Sequence, residues 1–383
     1  MEKSINIVFI GRYSFPKGVA MTKRHRYYID YLSKLPNVAV CNICTWGGAV
    51  TQNDTHGMYN GVVEYYNTDM PRKATSFLPI ANWANKILRD RYKPDADNVA
   101  IFCAYVTLEQ LLIFKEAMSL GYKVICDVVE NYSAVGGDAS KAANFAFSLN
   151  KLFLYKKVSG FIVISSQINE AYKPYLKPIL ELTNSAPITC SEKKKSFHSP
   201  MKILYSGTFA SKDGLKYLIG GFEKFIRERG EVAELILTGK GVRDSGIEAK
   251  IKNNKQIIKL GYLSDEELTA QQLSADVLCM TRCNSLFANS GFPFKLSEYL
   301  ATGNTVLATA VGDVSRYIQD KVNGLLIVPE SADAICDALT YAYTHEKECI
   351  EMGIKGIETV DRYFNVESNG RQLYQFIKHI CEV

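Results

Sequence analysis

Along this chain the spacing of apolar and polar positions switches repeatedly, from the short apolar or alternating runs of strands to the three-to-four spacing of helices. In the first half, strand-like segments fall at Ile5–Ile10, Val38–Thr45, Val99–Cys103, Lys123–Val128, Gly160–Ile164 and Pro178–Leu182. Helical patterns lie between them at Ala20–Leu35, Ala74–Arg91, Leu108–Ser119, Ser140–Tyr155 and Ser166–Tyr175. A second series runs through Met201–Tyr205, Ala233–Thr238, Ile257–Leu260, Ala275–Met280, Thr305–Thr309 and Leu325–Val328. Strands that alternate with helices predict parallel sheets covered on both faces, so the expected fold is α/β with two tandem Rossmann-like domains. Between the series, Pro187–Pro200 reads as a linker by composition, with Lys193, Lys194 and Lys195 as solvated charge. The expected domains are residues 1–190 and 191–364, followed by a helix within 365–383 that carries Leu373, Phe376, Ile377 and Ile380 on one face.

A length of 383 residues suits two domains of about 180 residues each. Hydrophobic content of 47% and charged content of 22% are those of a soluble globular protein. The mildly basic balance, net charge +5, suits an anionic ligand or an anionic membrane surface and gives no reason to expect nucleic acid. The opening MEKSINIVFIGR has too short an apolar run for a signal peptide, and no segment reads as a membrane span. A cytoplasmic protein able to rest on the inner face of a membrane is expected.

The ten cysteines fit a reducing compartment. Cys41 and Cys44 form a CxxC, but strand geometry turns residues three apart to opposite faces, which argues against zinc or redox chemistry. Asp95-Ala96-Asp97 spells a DxD, an acidic pair of the kind that can hold a divalent metal. Here it precedes its strand and reads as a solvated loop, so no metal and no cofactor are expected.

The segment Asn289–Gly303, NSGFPFKLSEYLATG, joins a turn of small residues to a helix carrying a base and an acid, between two buried strands. A strand, a small-residue loop and a helix start together point backbone N–H groups at an anion. The pattern P-x-K-x-x-E-Y-x-x-x-G before a Val/Leu strand resembles the donor-binding segment of family 4 glycosyltransferases with the GT-B fold. That resemblance covers nearly all of the second half and, more weakly, the first. It implies two Rossmann-like domains facing a cleft, with a terminal helix crossing back to the first.

The resemblance also implies site residues. Glu298 matches the second acid of an E-x7-E motif, which bonds the donor's ribose hydroxyls, while the first acid is replaced by Ser290. Gly291, Phe292 and Pro293 would lie along sugar and phosphate, with backbone amides from the first two. Tyr205–Phe209 with Lys212-Asp213-Gly214 is similar to the segment that clamps the donor diphosphate. Lys212 matches its lysine, next to Gly207, but Thr208 stands where an arginine is expected, with Arg282 or Lys295 as candidate substitutes. Gly239 and Gly241 match a glycine turn at the cleft edge, and Tyr262 follows Gly261 where relatives border the base. Ser264 with Glu267 is a capping box.

In the first half, Gly18 ends the loop Gly11–Gly18, which the resemblance places beside the donor phosphates and the acceptor, making Gly18 a donor-binding candidate; Lys17, Lys23, Arg24 and Arg26 near the following helix suit either an acceptor phosphate or a solvated face. Asp127 and Glu130 follow a strand end where acceptor chemistry belongs, and Glu130 is the candidate polar contact or base. Asp138 reads as a helix cap. With Lys212 stabilising the leaving group, the resemblance implies a retaining glycosyltransferase of hexosyltransferase type. Its donor would be a nucleotide-diphosphate sugar and its acceptor a glycan or lipid-linked molecule, as in bacterial surface polysaccharide assembly. The alternatives are a catalytically silent nucleotide-sugar-binding or scaffold protein and a sugar-nucleotide epimerase or hydrolase of the same fold.

Overall fold

A computed structural model describes residues 3–46, 53–71, 75–103, 107–130, 148–149, 152–190, 194–207, 209–239 and 244–383. The chain divides into two units, Met1–Asn184 with Val366–Val383, and Ser185–Asn365.

The first unit runs β1 (Ile5–Gly11), α1 (Ala20–Leu32), β2 (Val38–Cys44), β3 (His56–Tyr59), β4 (Val63–Asn67), α2 (Phe77–Arg91), β5 (Asp97–Cys103), α3 (Leu108–Leu120), β6 (Lys123–Val128), β7 (Gly160–Val163), α4 (Ser166–Tyr172) and β8 (Ile179–Glu181). Its 8-stranded sheet has the order β3-β4-β2-β1-β5-β6-β7-β8. All neighbours are parallel except β3 and β4. The central strand β1 is buried along its whole length, as a strand covered on both faces must be.

The β3–β4 hairpin is absent from the sequence expectation, although its turn carries the Asn-Gly signal for one. Asn60 and Gly61 take φ of 50° and 72°, and the Val62 N–H closes the turn onto the Tyr59 carbonyl at 3.2 Å. The half-exposed strand β3 lacks the apolar run that marks the others. Helix α4 stops short of the expected Tyr175, because Pro174 has no N–H for the ladder and the chain tightens into a 3-10 turn over Lys173–Tyr175. The helix expected at Ser140–Tyr155 and the cap at Asp138 fall largely outside the described residues.

The second unit runs β9 (Met201–Gly207), α5 (Leu215–Arg229), β10 (Ala233–Gly239), α6 (Ser245–Asn253), β11 (Ile257–Gly261), α7 (Asp265–Ser274), β12 (Val277–Met280), α8 (Leu286–Ser290), α9 (Phe294–Leu300), β13 (Thr305–Thr309), β14 (Leu325–Ile327), α10 (Ala332–Thr344) and α11 (Glu346–Tyr363). Its 6-stranded parallel sheet has the order β11-β10-β9-β12-β13-β14. Leu218, Phe222 and Phe225 of α5 pack with Leu235 and Leu237 of β10 and Leu339 of α10 in its core. The expected capping box forms at α7: the Ser264 hydroxyl accepts the Glu267 N–H at 3.2 Å, and Glu267 accepts the Ser264 N–H at 2.8 Å.

The stretch read as a linker is instead built into the second unit. The Thr189 N–H donates to the Ala301 carbonyl at 3.0 Å. The Lys194 ammonium donates to the Asp276 carboxylate at 2.6 Å and is largely buried, so it is not solvated charge. Asp276, wholly buried, also accepts from His198 Nδ1 at 2.9 Å and from the Lys202 N–H at 2.7 Å. A buried carboxylate needs such partners, and the lysine was placed by that need rather than by local composition.

The final helix, α12 (Val366–Glu382), belongs to the first unit and packs on α1. Its residues Leu373, Ile377 and Ile380 are buried, and Gly370 lies against the Tyr31 ring.

Candidate functional site

In the second unit the chain winds outward from β9 through β10 to β11, then returns to lay β12 on the other side of β9. The carboxyl ends of β9 and β12 therefore flank the switch point, where open α/β sheets bind ligands. The loops that leave those two ends are tied together. The Cys283 N–H donates to the Lys212 carbonyl at 2.8 Å, and the Thr281 hydroxyl donates to the Asp213 carbonyl at 3.1 Å.

Those loops and helix α9 bring Lys212, Arg282, Lys295 and Glu298 into one electrostatic neighbourhood with Asp213. The Lys295 ammonium donates to the Tyr205 hydroxyl at 3.2 Å, lies 4.2 Å from the centre of that ring and stands 3.9 Å from Asp213 Oδ1. Burial pushes its pKa down, Asp213 opposes this, and the charges of Arg282 and Lys212 push it down further, with Glu298 opposing. The Lys212 ammonium rests 4.2 Å from the centre of the Phe287 ring. Arg282 is buried, and Glu298 is partly exposed on α9.

Helix α9 is held in register by Tyr299, which is wholly buried. Its hydroxyl accepts the Ser206 N–H at 3.0 Å and shares a hydrogen bond with the Ser206 hydroxyl at 2.9 Å. Sequence reasoning gave no role to Tyr299, Tyr205, Ser206 or Asp213. Tyr299 was visible as the residue beside Glu298, and Asp213 as the residue beside Lys212, but what they grip comes from segments far away in the chain.

At the neighbouring strand end, Gly239 takes φ of 142°, and a β-carbon there would fall 1.7 Å from the Gly207 carbonyl. The two expected glycines thus meet backbone to backbone, a contact no other residue permits at position 239. Tyr262 is 62% exposed past the end of the outer strand β11. Thr208 and Gly241 lie outside the described residues. Ser290 is wholly buried and donates to the Phe287 carbonyl at 3.1 Å within α8. Gly291 and Pro293 are buried in the turn between α8 and α9. Phe292 turns its ring into the core against Tyr317 and Phe364, so only its backbone can serve a ligand.

In the first unit, the switch point falls between β1 and β5. The loop after β1 is firmly held. Asn67 bonds both the N–H and the carbonyl of Phe15, at 3.1 and 2.7 Å, and the Thr22 hydroxyl donates to the Ser14 carbonyl at 2.7 Å beside Gly18. Lys17 is exposed, and Lys23 and Arg26 are half-buried. Arg24 departs from the expectation for that basic set: it is 2% exposed and turned inward. Its Nε and Nη2 atoms each donate to Asp127 at 2.9 Å, and it also donates to the Leu182 carbonyl at 2.9 Å and the Thr183 carbonyl at 3.0 Å.

Asp127 is likewise spent on structure. Its carboxylate accepts from His25 Nε2 at 3.0 Å, and His25 Nδ1 lies 2.8 Å from the Tyr13 hydroxyl. The Arg24 charge and the hydrogen bonds hold the Asp127 carboxyl below its ordinary value against the effect of burial, while burial pushes the His25 imidazole down. Glu130, just past β6, is only partly buried and is the acid at this strand end that stays within reach of solvent. Cys41 and Cys44 are buried in β2, and burial pushes the Cys41 thiol up to about 12, as for inert core thiols. Asp97 pairs with Lys3 at the start of β5, at 2.7 Å. Among the described residues no group of His, Cys, Asp and Glu is arranged to hold a metal ion, and no helix is long and apolar enough to cross a membrane.

Residues 189–359 match the family model described as glycosyl transferases group 1. No curated protein matches the sequence. Among solved structures, sucrose-phosphate synthase from Thermosynechococcus elongatus superposes with a TM-score of 0.79 at 15% identity, over 98% of each chain. A glycosyltransferase from Rickettsia africae gives 0.72 at 13% identity over 99% of each chain. HepE from Anabaena in complex with UDP gives 0.70 at 12% identity, over 98% of this chain and all of that one. At these identities the likeness shows the fold, two Rossmann-like α/β units as in GT-B glycosyltransferases.

Proposed function

Taking the chain as a group 1 glycosyltransferase, the family its residues 189–359 match, we propose that it moves a sugar from a nucleotide-diphosphate donor to a glycan or lipid-linked acceptor with retention of configuration. The observation that carries this reading is the meeting of Lys212, Arg282 and Glu298 at the switch point of the second unit. A departing diphosphate develops negative charge, and cations fixed beforehand at that position stabilise it. Glu298, partly exposed on α9, accepts from the ribose hydroxyls. Gly207 and Gly239 let backbone approach the donor, and Tyr262 borders the base.

Retention needs no protein nucleophile in this reading. The leaving phosphate takes the acceptor's proton on the face it departs from, and the sugar–phosphate bond breaks as the new glycosidic bond forms. Glu130 of the first unit contacts the acceptor. UDP-sugars are the first donors to test, because HepE, a protein of the same fold, is described in complex with UDP and with UDP-glucose. The reading includes no metal, and the role in surface polysaccharide assembly, on the cytoplasmic face of a membrane, rests on fold analogy.

Ser290 favours a second reading, a nucleotide-sugar-binding protein without transfer. The family pattern has an acid there, and this chain has a buried hydroxyl engaged within its own helix. Thermal shift against UDP, GDP, ADP, CMP and their sugars, in EDTA, separates the possibilities. A ligand at 100 times its Kd adds about 2.7 kcal/mol. A shift with one nucleotide that is lost in Glu298→Ala supports donor binding, and product analysis with an acceptor mixture then distinguishes transfer from hydrolysis and from binding alone. No shift with any nucleotide overturns the donor reading.

A further inference from the structure

Leu176 departs from expectation twice at one position. It is 90% exposed, and its backbone is left-handed, with φ of 54°. A bulky residue is rare in that region, where glycine or asparagine ordinarily ends a helical turn. Here it closes the 3-10 turn Lys173–Tyr175, its N–H donating to the Lys173 carbonyl at 3.0 Å. An apolar side chain is thus held out in water, at a backbone cost that glycine or asparagine would lessen.

A second exposed apolar pair is tied to it. Before β7 the chain turns over residues 152–157, where the Lys157 N–H donates to the Leu154 carbonyl at 2.7 Å. Leu154 and Tyr155 are buried, whereas Leu152 is 61% and Phe153 51% exposed. The two turns share one aromatic floor. The Tyr155 ring centre lies 5.5 Å from that of Tyr175 and 5.3 Å from that of Tyr172, and all three rings pack on Phe161 of β7. The surrounding charge has one dominant sign. Lys156, Lys157 and Lys173 are exposed and Lys177 is half-buried, and the one acid in residues 152–157 and 170–177 is Glu170, which pairs with Lys173. Single exposed apolar residues are ordinary. Apolar side chains that stand out from basic turns of fixed geometry have the shape and charge to enter an anionic headgroup layer, not to clasp a peptide in a groove.

We propose that residues 152–157 and 173–177 form a docking surface for an anionic lipid bilayer. Leu152, Phe153 and Leu176 enter the headgroup layer, and the lysines meet its phosphates. Hold on such a surface scales with the apolar area buried and with the attraction of the basic residues to anionic lipid, and the two turns supply both. The inference is independent of the donor site, since it concerns the first unit alone. Lipid binding can fail with nucleotide binding intact, and the reverse.

The test is co-sedimentation of the full chain with sucrose-loaded vesicles, made of phosphatidylcholine alone or with about one third phosphatidylglycerol. Wild type should bind the mixed vesicles and come off them as salt is raised, because surface charges are screened. Each lysine near such a surface is worth about fivefold in affinity, so Lys156→Gln with Lys157→Gln should weaken binding by about 10-fold or more. Leu176→Asn suits the left-handed backbone, so it should weaken vesicle binding while Tm is unchanged or raised. That pairing excludes misfolding as the cause. Wild type that ignores the mixed vesicles at low salt overturns the inference. So does a variant combining all three substitutions that still binds within about twofold of wild type. A dimer in sedimentation that Leu176→Asn dissolves, with no vesicle binding, also overturns it and assigns the patch to a second copy of the chain.

Discussion

The Tyr299 hydroxyl grips Ser206 twice, at its backbone N–H and at its side chain, across 93 residues of sequence. This bond sets the helix carrying Lys295 and Glu298 against the strand that ends in Gly207. Tyr299→Phe removes the acceptor for a buried N–H, which costs about 1–3 kcal/mol of stability. Because the helix is then free to shift, donor Kd should rise while the far-UV spectrum stays unchanged. A melt and a nucleotide titration on the same sample check both outcomes, and unchanged donor affinity would refute the positioning role.

Glu298 is assigned to the ribose, so its loss should erase discrimination at the sugar hydroxyls. Wild type should prefer the ribonucleoside diphosphate over its 2′-deoxy form by about 10-fold or more, the effect of a hydrogen bond to a charged group. Glu298→Gln keeps the shape and should collapse that preference. Competition binding with the two nucleotides reads it directly.

Donor affinity should also depend on pH through Lys295. Its pKa is lowered from 10.5, chiefly by burial, with Arg282 and Lys212 adding to the effect and Asp213 and Glu298 opposing it. The cation is therefore present at low pH and lost as pH rises through a value below 10.5. Diphosphate binding should weaken on that alkaline limb. Lys295→Arg, which stays protonated throughout, should flatten it. Binding curves at stepped alkaline pH, wild type against variant, test the sign.

The first unit should be acid-sensitive for two reasons of the same sign. His25 is held neutral, with its pKa lowered from 6.5, so the unfolded chain takes up a proton that the folded chain does not as pH drops below 6.5. Asp127 has a depressed pKa, so its contribution is present above 3.8 and is lost as pH falls below that. Denaturant midpoints should decline through the first window, and His25→Gln should lessen that slope. Asp127→Asn leaves the Arg24 guanidinium buried without its countercharge and should cost about 3–5 kcal/mol at neutral pH.

Gly239→Ala should be harmful out of proportion to one methyl group. The residue would need a φ of 142° and would meet the Gly207 carbonyl. Backbone strain alone costs about 1–3 kcal/mol, and relieving it would move the end of β9. Lower Tm together with weakened nucleotide binding is the expected pair of results.

The architecture was legible because both sheets are parallel and buried, which writes long apolar runs into β1, β6, β12 and β13 and leaves turn residues between them. The Ser264–Glu267 cap could be read because it spans a single turn. The segment around Glu298 could be read because strand, loop and helix follow directly in sequence. Arg24 could not: a basic residue at a helix start looks solvated until the aspartate 103 residues away turns out to lie beneath it. Lys194 misled in the same way, through Asp276. The surroundings of Lys295 were hidden too, since its tyrosine comes 90 residues earlier. Local periodicity records which face of an element is buried, but not which buried partner a long polar side chain will find.

The helix Val366–Glu382 packs on the first unit, yet it is synthesised only after the whole of Ser185–Asn365. As the chain leaves the ribosome, the face of α1 around Tyr31 must wait, uncovered, while an entire second unit emerges and folds. For that interval the first unit is an unfinished body with an apolar seam open to chaperones or to another nascent copy. Slowing translation within the second unit should lengthen that exposure and lower the yield of native protein, a vulnerability written into the order of the segments rather than into any residue of the site.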